Sequence, residues 1–191
     1  MKLARVNTCL LVAIILINSF VIVFPFLPAL MFQHQSNSPQ AKQIQKTVAS
    51  KPLPQSIDAN AEQLLIPSMV LDEPIHEGKD LHTLRQGLWR LPYTSTPDKG
   101  SNTVIVAHRF TYTNPRGTFY HLDKVQAGDP IAILWHGKKY TYTVRQVQQV
   151  PPTQISVEAP TKEAQLTLYT CTPLWNPKDR LVVTASLENI E

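Results

Sequence analysis

The chain opens with one long apolar segment and continues as short apolar runs separated by polar turns. Residues 9–32 are apolar except for one Asn-Ser pair and two prolines. About 20 apolar residues suffice to cross a bilayer as a helix, so residues 9–32 are predicted to form a transmembrane anchor. Lys2 and Arg5 precede this segment without an acidic residue. The positive-inside rule therefore assigns residues 1–8 to the cytoplasm and the rest of the chain to the outer side.

A cleaved signal peptide is the alternative for this segment. The apolar run is longer than the core of a typical signal peptide, and Leu30-Met31-Phe32-Gln33 lacks the small-x-small pattern of a cleavage site. An uncleaved anchor is therefore favoured.

The segment after the anchor differs sharply in composition. Residues 33–60 are rich in Gln, Ser, Lys and Pro, with few large apolar residues and no periodicity. Such a composition is typical of a flexible linker. Residues 61–191 then have the ordinary size of one domain.

The C-terminal domain carries the pattern of a β-rich fold. Its strand-length apolar runs are residues 64–71, 103–107, 130–135, 139–147, 165–170 and 180–187. The Gly-containing turn between the third and fourth runs predicts a hairpin, and Tyr140, Tyr142 and Val144 share one face of its second arm. Helical patterns are limited to residues 79–86 and 117–122.

Proline usage adds to this picture. Pro67 lies inside the first apolar run and indicates an edge strand or a bulge. The chain has 16 prolines against 6 glycines, which predicts stiff loops because proline fixes φ. Many short strands joined by such loops predict a mostly β domain, either a barrel or a sandwich.

The basic character of the chain is confined to its N-terminal part. The formal charge is +4 and the isoelectric point is about 9.1, yet residues 61–191 contain thirteen basic and thirteen acidic residues. A neutral domain does not favour a nucleic-acid groove, so no nucleic-acid partner is expected. The basic excess beside the anchor fits an anionic membrane or cell-wall surface, or equally a merely solvated linker.

One thiol stands at the end of a predicted strand. Thr167-Leu168-Tyr169-Thr170-Cys171 ends in this cysteine, and the other cysteine, Cys9, lies in the predicted anchor. The two are therefore not expected to form a disulfide. An unpaired thiol in an exported domain indicates intermolecular pairing or reactivity. The alternative is a core cysteine, which behaves as a small apolar residue, and composition alone favours that alternative.

Other residues can act on such a thiol. His108 ends an earlier apolar run and is the best placed of six histidines, with His121 as its competitor. An imidazole can serve as the base of a thiol or hold it as an ion pair. Arg180 begins the run after Cys171, where a guanidinium can stabilise an oxyanion or hold the substrate backbone. The Thr170 hydroxyl is a further candidate donor and is predicted to contact the substrate. Together these groups predict acyl transfer through a thioester. No zinc-type Cys/His spacing is present, and no metal or cofactor is expected.

These residues resemble the sortases, the cysteine transpeptidases of bacterial surfaces. The pattern of that family is Thr-Leu-x-Thr-Cys with a downstream arginine, and residues 167–171 and 180–183 match it. Residues 102–109 resemble the histidine segment of the family, with Ala107 where glycine is usual. Further similar blocks, in the same order, are residues 118–123, 128–131 and 137–144. The resemblance spans about residues 62–188.

The resemblance implies a fold and a reaction. The fold would be the closed eight-stranded β-barrel of the sortases with short helices, preceded by the single transmembrane helix. Cys171 would be the nucleophile, His108 the general acid/base, and Arg180 the residue that stabilises the oxyanion or orients the substrate. The substrate would be an LPXTG-like C-terminal sorting signal of a surface protein, cleaved at a Thr–Gly-type bond. The acceptor amine would belong to a peptidoglycan precursor or a pilin lysine, outside a bacterial cell membrane.

The subclass is indicated by loop lengths. The short segment 172–179 resembles sortases of classes C, D and E more than those of classes A and B. Leu71-Asp72-Glu73-Pro74 is not the lid of pilin-polymerising members, and residues 182–191 are too short and polar to span a membrane. Anchoring is therefore favoured over polymerisation. Two alternatives stay open: another exported cysteine peptidase or L,D-transpeptidase-like enzyme, and a non-catalytic, membrane-tethered β-domain.

Overall fold

The chain folds as two compact units. A computed structural model describes residues 2–50, 61–113 and 118–191. The units are Met1–Gln33 and His34–Glu191. The N-terminal helical segment consists of α1 (Lys2–Val23), the 3₁₀ turn Phe24–Phe26 and α2 (Leu27–Gln35).

The apolar helix predicted at the N-terminus is present. Arg5–Gln35 contains an 18-residue stretch with a mean hydropathy of 2.8 and is long and apolar enough to cross a bilayer. Pro25 lies in the first turn of the 3₁₀ segment, where its missing N–H is not needed. A signal sequence near an N-terminus has the same length and composition, so the uncleaved anchor, its orientation and its limits at residues 9 and 32 stay predictions.

The second unit is built around a closed barrel. Its strands are β1 (Gln63–Ile66), β2 (Leu71–Glu77), β3 (Leu88–Arg90), β4 (Asn102–Val106), β5 (Pro130–Trp135), β6 (Lys138–Val150), β7 (Gln165–Thr172) and β8 (Asp179–Ile190). Around the barrel they follow the order β1-β2-β3-β4-β7-β8-β6-β5, and β5 pairs with β1 to close it. The pairs β2–β3 and β4–β7 are parallel, and the others are antiparallel. The eight-stranded barrel is therefore confirmed.

Alternate side chains of each strand fill the barrel. Tyr140, Tyr142 and Val144, which are predicted to share one face of β6, are buried in the core. Thr141 and Thr143 lie between them and are partly exposed. Because successive side chains point to opposite faces of a sheet, the positions between core residues lie on the outer surface of the barrel.

The first apolar run, residues 64–71, is not a single strand. β1 ends at Ile66, the turn Pro67–Met69 follows, and β2 begins at Leu71. Pro67 cannot donate a ladder hydrogen bond, and Val70 has a left-handed φ of 53°. The chain therefore reverses here, and β1 and β2 pair antiparallel. The edge strand or bulge expected at Pro67 is therefore not what forms here. The residues form a tight connection between two barrel strands.

Most other connections contain short 3₁₀ turns. They are Thr83–Arg85, Pro97–Lys99, Leu122–Lys124 and Ile155–Glu158. The helical pattern over residues 79–86 yields only the first of these, because Gly87, with φ 144°, ends the segment. The pattern over 117–122 contributes only its last residue to the turn at Leu122–Lys124, and residue 117 lies outside the described part of the chain.

The segment predicted as a flexible linker contains a third helix. α3 (Pro39–Ala49) begins after Ser38, whose hydroxyl accepts a hydrogen bond at 3.1 Å from an N–H of the first turn. Ile44 and Val48, four residues apart on one face, pack against Leu65, Ala132 and Leu134 on the barrel. The linker prediction is wrong for residues 39–49, because the barrel supplies the apolar partner that a lone helix would lack. Residues 51–60 of that linker lie outside the described residues.

A buried ammonium fixes the end of α3 to the barrel. Lys139 Nζ donates to the carbonyl oxygens of Thr47, at 3.4 Å, and of Ser50, and it forms an ion pair with Glu191 at 2.8 Å. The Lys139 side chain is only 1% exposed, and a charge so buried requires compensation. Carbonyls at the C-terminal end of a helix carry partial negative charge that suits a cation. The barrel domain therefore includes α3 and begins before residue 61.

Replacing Ile44 with alanine is expected to lower the free energy of unfolding by about 2–4 kcal/mol, because the buried side chain would leave a cavity between α3 and the barrel. The matched control is Gln45→Ala on the exposed face of the same helix, which is expected to change stability by less than about 0.5 kcal/mol. Denaturant unfolding of the detergent-solubilised chain, followed by tryptophan fluorescence, measures both. Equal stability of the two variants would show that α3 does not pack on the barrel in solution.

Candidate active site

The site is organised by the parallel pairing of β4 and β7. Val106 lies beside Tyr169 at the end of the ladder. The pairing continues one step further, because the Ala107 N–H donates to the Tyr169 carbonyl at 3.4 Å. The Thr170 hydroxyl then donates to the Ala107 carbonyl at 2.8 Å. The two strand ends are thereby held side by side, and the next residue on each is one of the predicted catalytic residues.

Cys171, His108 and Arg180 come together at this end of the barrel. Cys171 lies directly opposite Arg180 in the β7–β8 ladder, and directly opposite residues have Cβ atoms about 4.5–5.5 Å apart on one face. The β4–β7 register, continued by two residues, sets His108 level with Cys171. The cysteine is exposed, so its thiol is open to solvent.

The three side chains also share one face of the barrel wall. Val106 and Tyr169 pack in a cluster that is separate from the barrel core and lies on its outer side. His108 lies two residues after Val106, and Cys171 lies two residues after Tyr169. Because side chains alternate with a period of two, His108 and Cys171 point to the same outer face as Val106 and Tyr169. Arg180 lies opposite Cys171 and shares that face. The site is therefore an outer-face site at one barrel end.

The imidazole of His108 is suited to accept a proton. Its side chain is half-buried, and burial lowers the pKa of the imidazole below the usual value. The neutral form, which can accept a proton, therefore dominates at neutral pH. The carbonyl of His108 accepts a hydrogen bond from the Phe119 N–H at 2.9 Å. The connection that follows the histidine is thus tied back to the strand end.

Two neighbours of the site face the barrel interior. Ala107 is buried in the core, so the methyl group that stands where glycine was expected fills the interior and not the face that carries His108. Thr170 is 2% exposed, and its hydroxyl is engaged by the Ala107 carbonyl. This geometry does not support the substrate contact predicted for Thr170. Thr170 instead joins β7 to β4 through this hydrogen bond.

Arg180 has partners that sequence reasoning missed. Its guanidinium carbon lies 4.7 Å from the centroid of the Tyr169 ring, and its Nη1 donates to Glu158 Oε1 at 3.2 Å. Glu158 belongs to the turn Ile155–Glu158 in the connection between β6 and β7. No local pattern links Arg180 and Glu158, which are 22 residues apart and meet only in the folded barrel.

The competing histidine lies in the connection between β4 and β5. His121 packs edge-to-face against Tyr120, with ring centroids 4.9 Å apart, and the neighbouring Asp123 forms an ion pair with Arg109 at 2.7 Å. These contacts hold the connection together. Across residues 2–50, 61–113 and 118–191, no group of three or more His, Cys, Asp or Glu residues is arranged to hold a metal ion.

Comparison with known proteins defines the family. The model of the Sortase domain family matches residues 64–188, which is most of the chain. The match includes all eight strands except the first residue of β1 and the last two residues of β8. The chain therefore belongs to the sortase family.

Individual relatives agree with this assignment. Sortase A of Listeria monocytogenes is 27% identical over 134 residues, which are 70% of this chain and 59% of that protein. Sortase SrtE1 of Streptomyces coelicolor is 31% identical over 100 residues, which are 47% of this chain but only 28% of that protein. The chain thus spans less than two thirds of the length of these relatives.

Solved structures show the same similarity in three dimensions. The crystal structure of Listeria monocytogenes sortase A superimposes with a TM-score of 0.61 at 25% identity, covering 70% of this chain and 90% of that one. A lid mutant of sortase A from Corynebacterium diphtheriae gives a TM-score of 0.63 at 26% identity, covering 85% and 96%.

The lowered pKa of His108 predicts a pH-dependent contribution to stability. A histidine whose pKa is lower in the folded chain binds more protons when unfolded, so its contribution is complete above about pH 6.5 and is lost as the pH falls through the folded pKa. The wild-type chain is therefore expected to lose more stability between about pH 7 and about pH 5 than His108→Gln does. Thermal unfolding across this range measures both, and parallel profiles would contradict the lowered pKa.

Proposed function

We propose that the chain is a membrane-anchored cysteine transpeptidase. It cleaves an LPXTG-like sorting signal near the C-terminus of exported surface proteins and transfers the acyl group to an amine. The observation that carries this proposal is the position of Cys171 opposite Arg180 and level with His108. A thiol, a basic imidazole and a guanidinium on one exposed face are suited to acyl transfer through a thioester. Membership of the sortase family supports the same reaction class.

The first half-reaction forms the thioester. The sulfur of Cys171 attacks the carbonyl carbon of the Thr–Gly-type bond, and the neutral imidazole of His108 accepts the thiol proton. As the C–N bond breaks, the imidazolium gives this proton to the departing amine. The lowered pKa of His108 keeps the imidazole neutral before the attack and makes its protonated form a stronger acid, which favours proton transfer to the departing amine.

The second half-reaction releases the product. The acceptor amine attacks the thioester carbon, its proton passes to His108, and the new C–N bond forms as the C–S bond breaks. The thiolate then recovers its proton from the imidazolium. We assign the acceptor to the amino group of a peptidoglycan precursor or of a pilin lysine, both of which can reach an exposed thioester at the cell surface.

Arg180 acts on the charge that develops in each step. Both tetrahedral intermediates carry an oxyanion, and donors already in place for it supply a large part of the rate. A guanidinium has five N–H donors, and the hydrogen bond to Glu158 uses Nη1. Among the described residues, no other side-chain hydrogen bond engages Arg180. Its remaining donors are therefore available to the oxyanion or to the substrate backbone.

A peptide substrate is supported by a relative of known structure. Sortase E1 of Streptomyces coelicolor was crystallised with a tripeptide in the active site, and it superimposes with a TM-score of 0.60 at 25% identity, covering 70% of this chain and 91% of that one. The N-terminal apolar helix supports single-pass attachment to the bacterial membrane, with residues 1–8 in the cytoplasm and the barrel outside.

Attachment of proteins to the cell wall is favoured over pilin polymerisation. Leu71-Asp72-Glu73-Pro74, the segment considered as a lid in the sequence, belongs to β2 and pairs with β1. A strand built into the barrel wall cannot cover and uncover the thiol. This supports an active site that is open to the sorting signal without a lid from this segment.

The wild-type chain in detergent micelles is expected to join an LPXTG-like peptide to an added amine. Cys171→Ala and His108→Ala should abolish turnover and change the melting temperature little, because neither side chain belongs to the barrel core. Mass spectrometry of the peptide products distinguishes aminolysis from hydrolysis. Hydrolysis alone with every amine tried would indicate a peptidase, and unfolding of either variant would assign that residue a structural role.

Arg180→Lys is expected to lower turnover by about a hundredfold or more, because an ammonium cannot reproduce the planar donor fork beside an oxyanion. The matched control is Arg145→Lys, since Arg145 is an exposed arginine of β6 that pairs with Glu188 at 2.6 Å, and this variant should retain normal turnover. Steady-state kinetics of both variants give the comparison. Near-normal turnover of Arg180→Lys would remove Arg180 from the mechanism.

A non-catalytic domain would behave differently towards a thiol reagent. If Cys171 is the nucleophile, mild alkylation of the native chain should modify it faster than alkylation of the denatured chain, because only the fold sets an imidazole level with the thiol, where it can accept the thiol proton. Peptide mass spectrometry locates and times the modification. A native rate no higher than the denatured rate would count against every enzymatic assignment.

A further inference from the structure

The carboxylate of Glu158 gathers three donors beside the active site. Tyr93 Oη donates to Oε2 at 2.6 Å, while Tyr169 Oη at 2.7 Å and Arg180 Nη1 at 3.2 Å donate to Oε1. The side chain of Glu158 is 13% exposed and that of Arg180 is 24% exposed. A carboxylate with this many donors has its charge well compensated and its orientation defined.

The two tyrosines are fixed as donors. Burial and the neighbouring Glu158 raise the pKa of Tyr93 to about 12 and raise the pKa of Tyr169 as well. Both phenols therefore stay protonated at neutral pH and can only be donors to this carboxylate. Hydrogen bonds to a carboxylate are about twice as strong as neutral ones, so the two phenols help to fix the orientation of the Glu158 side chain.

The backbone around Glu158 is clamped to the barrel. The amide nitrogen of Asn102 donates to the carbonyls of Val157 and Ala159, each at 3.0 Å, and its amide oxygen accepts from Thr167 Oγ1 at 2.7 Å. Asn102 is only 2% exposed. Because Asn102 belongs to β4 and Thr167 to β7, the strands that lead to His108 and Cys171 also position the turn that carries Glu158.

This arrangement restricts the motion of Arg180. The Tyr169 ring lies under the guanidinium, at 4.7 Å from its carbon to the ring centroid, and Glu158 holds one of its nitrogens. A cation over an aromatic face and a charge-assisted hydrogen bond act from two directions. A long, flexible side chain is thereby confined to the region next to Cys171, its cross-strand partner.

We propose that Glu158 is a positioning residue that, together with Tyr169, orients the guanidinium of Arg180 towards the reacting carbonyl. The proposal rests on the proposed function. Glu158 touches neither the thiol nor the imidazole in this arrangement and acts through Arg180. Its loss weakens an interaction made in the transition state, so it lowers kcat and leaves the KM for the sorting signal almost unchanged.

Glu158→Ala in the full chain is expected to lower kcat by roughly 10- to 100-fold, the order seen when a catalytic group loses its orientation, with KM within about twofold of wild type. Glu158→Gln keeps an acceptor without the charge and should lie between wild type and Glu158→Ala. Tyr169→Phe keeps the ring under Arg180 and should reduce kcat less than Glu158→Ala. The matched control is Glu163→Ala, an exposed carboxylate in the same connection, which should behave as wild type.

Rates are normalised to the folded fraction measured by tryptophan fluorescence, so that partial unfolding does not pass for lost catalysis. A kcat of Glu158→Ala within about twofold of wild type, or a higher KM at unchanged kcat, would overturn the proposal. If Glu158→Ala does not fold, Glu158→Gln decides on the same criterion.

A second measurement does not need turnover. Phenylglyoxal modifies exposed arginines, and peptide mass spectrometry reads its rate at Arg180. Release of Arg180 in Glu158→Gln should make this modification several-fold faster, while the rate at Arg145 stays the same. An unchanged rate at Arg180 would overturn the proposal even if the wild-type chain turns over no peptide, and such inactivity would by itself contradict only the proposed transpeptidation.

Discussion

The parallel pairing of β4 with β7 is the constraint on which the rest of the site depends. Parallel strands need a crossover connection, and here the crossover contains β5 and β6. His108 and Cys171 are therefore distant in sequence and are brought together by the pairing of these two strands. The seam between the two strands is lined on its inner side by buried Ile105, Leu166 and Leu168. Burial of these apolar side chains inside the barrel therefore fixes the positions of the polar site residues on its outer face.

Two cationic side chains of the barrel strands are confined by their partners. Lys139 is enclosed by the end of α3 and by Glu191, and Arg180 is enclosed by Tyr169 and Glu158. In both cases the partners come from segments outside the strand that carries the charge. The direction in which each cation points is therefore decided by groups from α3, the residue after β8, a neighbouring strand and the β6–β7 connection.

Sequence pattern located the residues that strand ends bring together, and it failed where register or tertiary packing decides. His108, Cys171 and Arg180 were found because each lies at the limit of an apolar run. β3 has three residues, too few to show a period. α3 was missed because its apolar face is short and needs the barrel as a partner. The contacts of Glu158 with Tyr93, Tyr169 and Arg180 follow from tertiary packing, which no linear pattern encodes.

The network around Glu158 has a consequence for recombining parts of related proteins. The connection between β6 and β7 contributes the carboxylate, the segment after β3 contributes Tyr93, and β7 and β8 contribute Tyr169 and Arg180. A chimera that takes only the β6–β7 connection from a relative would leave two phenols and a guanidinium facing a foreign loop. In this barrel the natural unit of exchange is therefore a set of four side chains spread over the sequence, and a loop cannot be treated as a module.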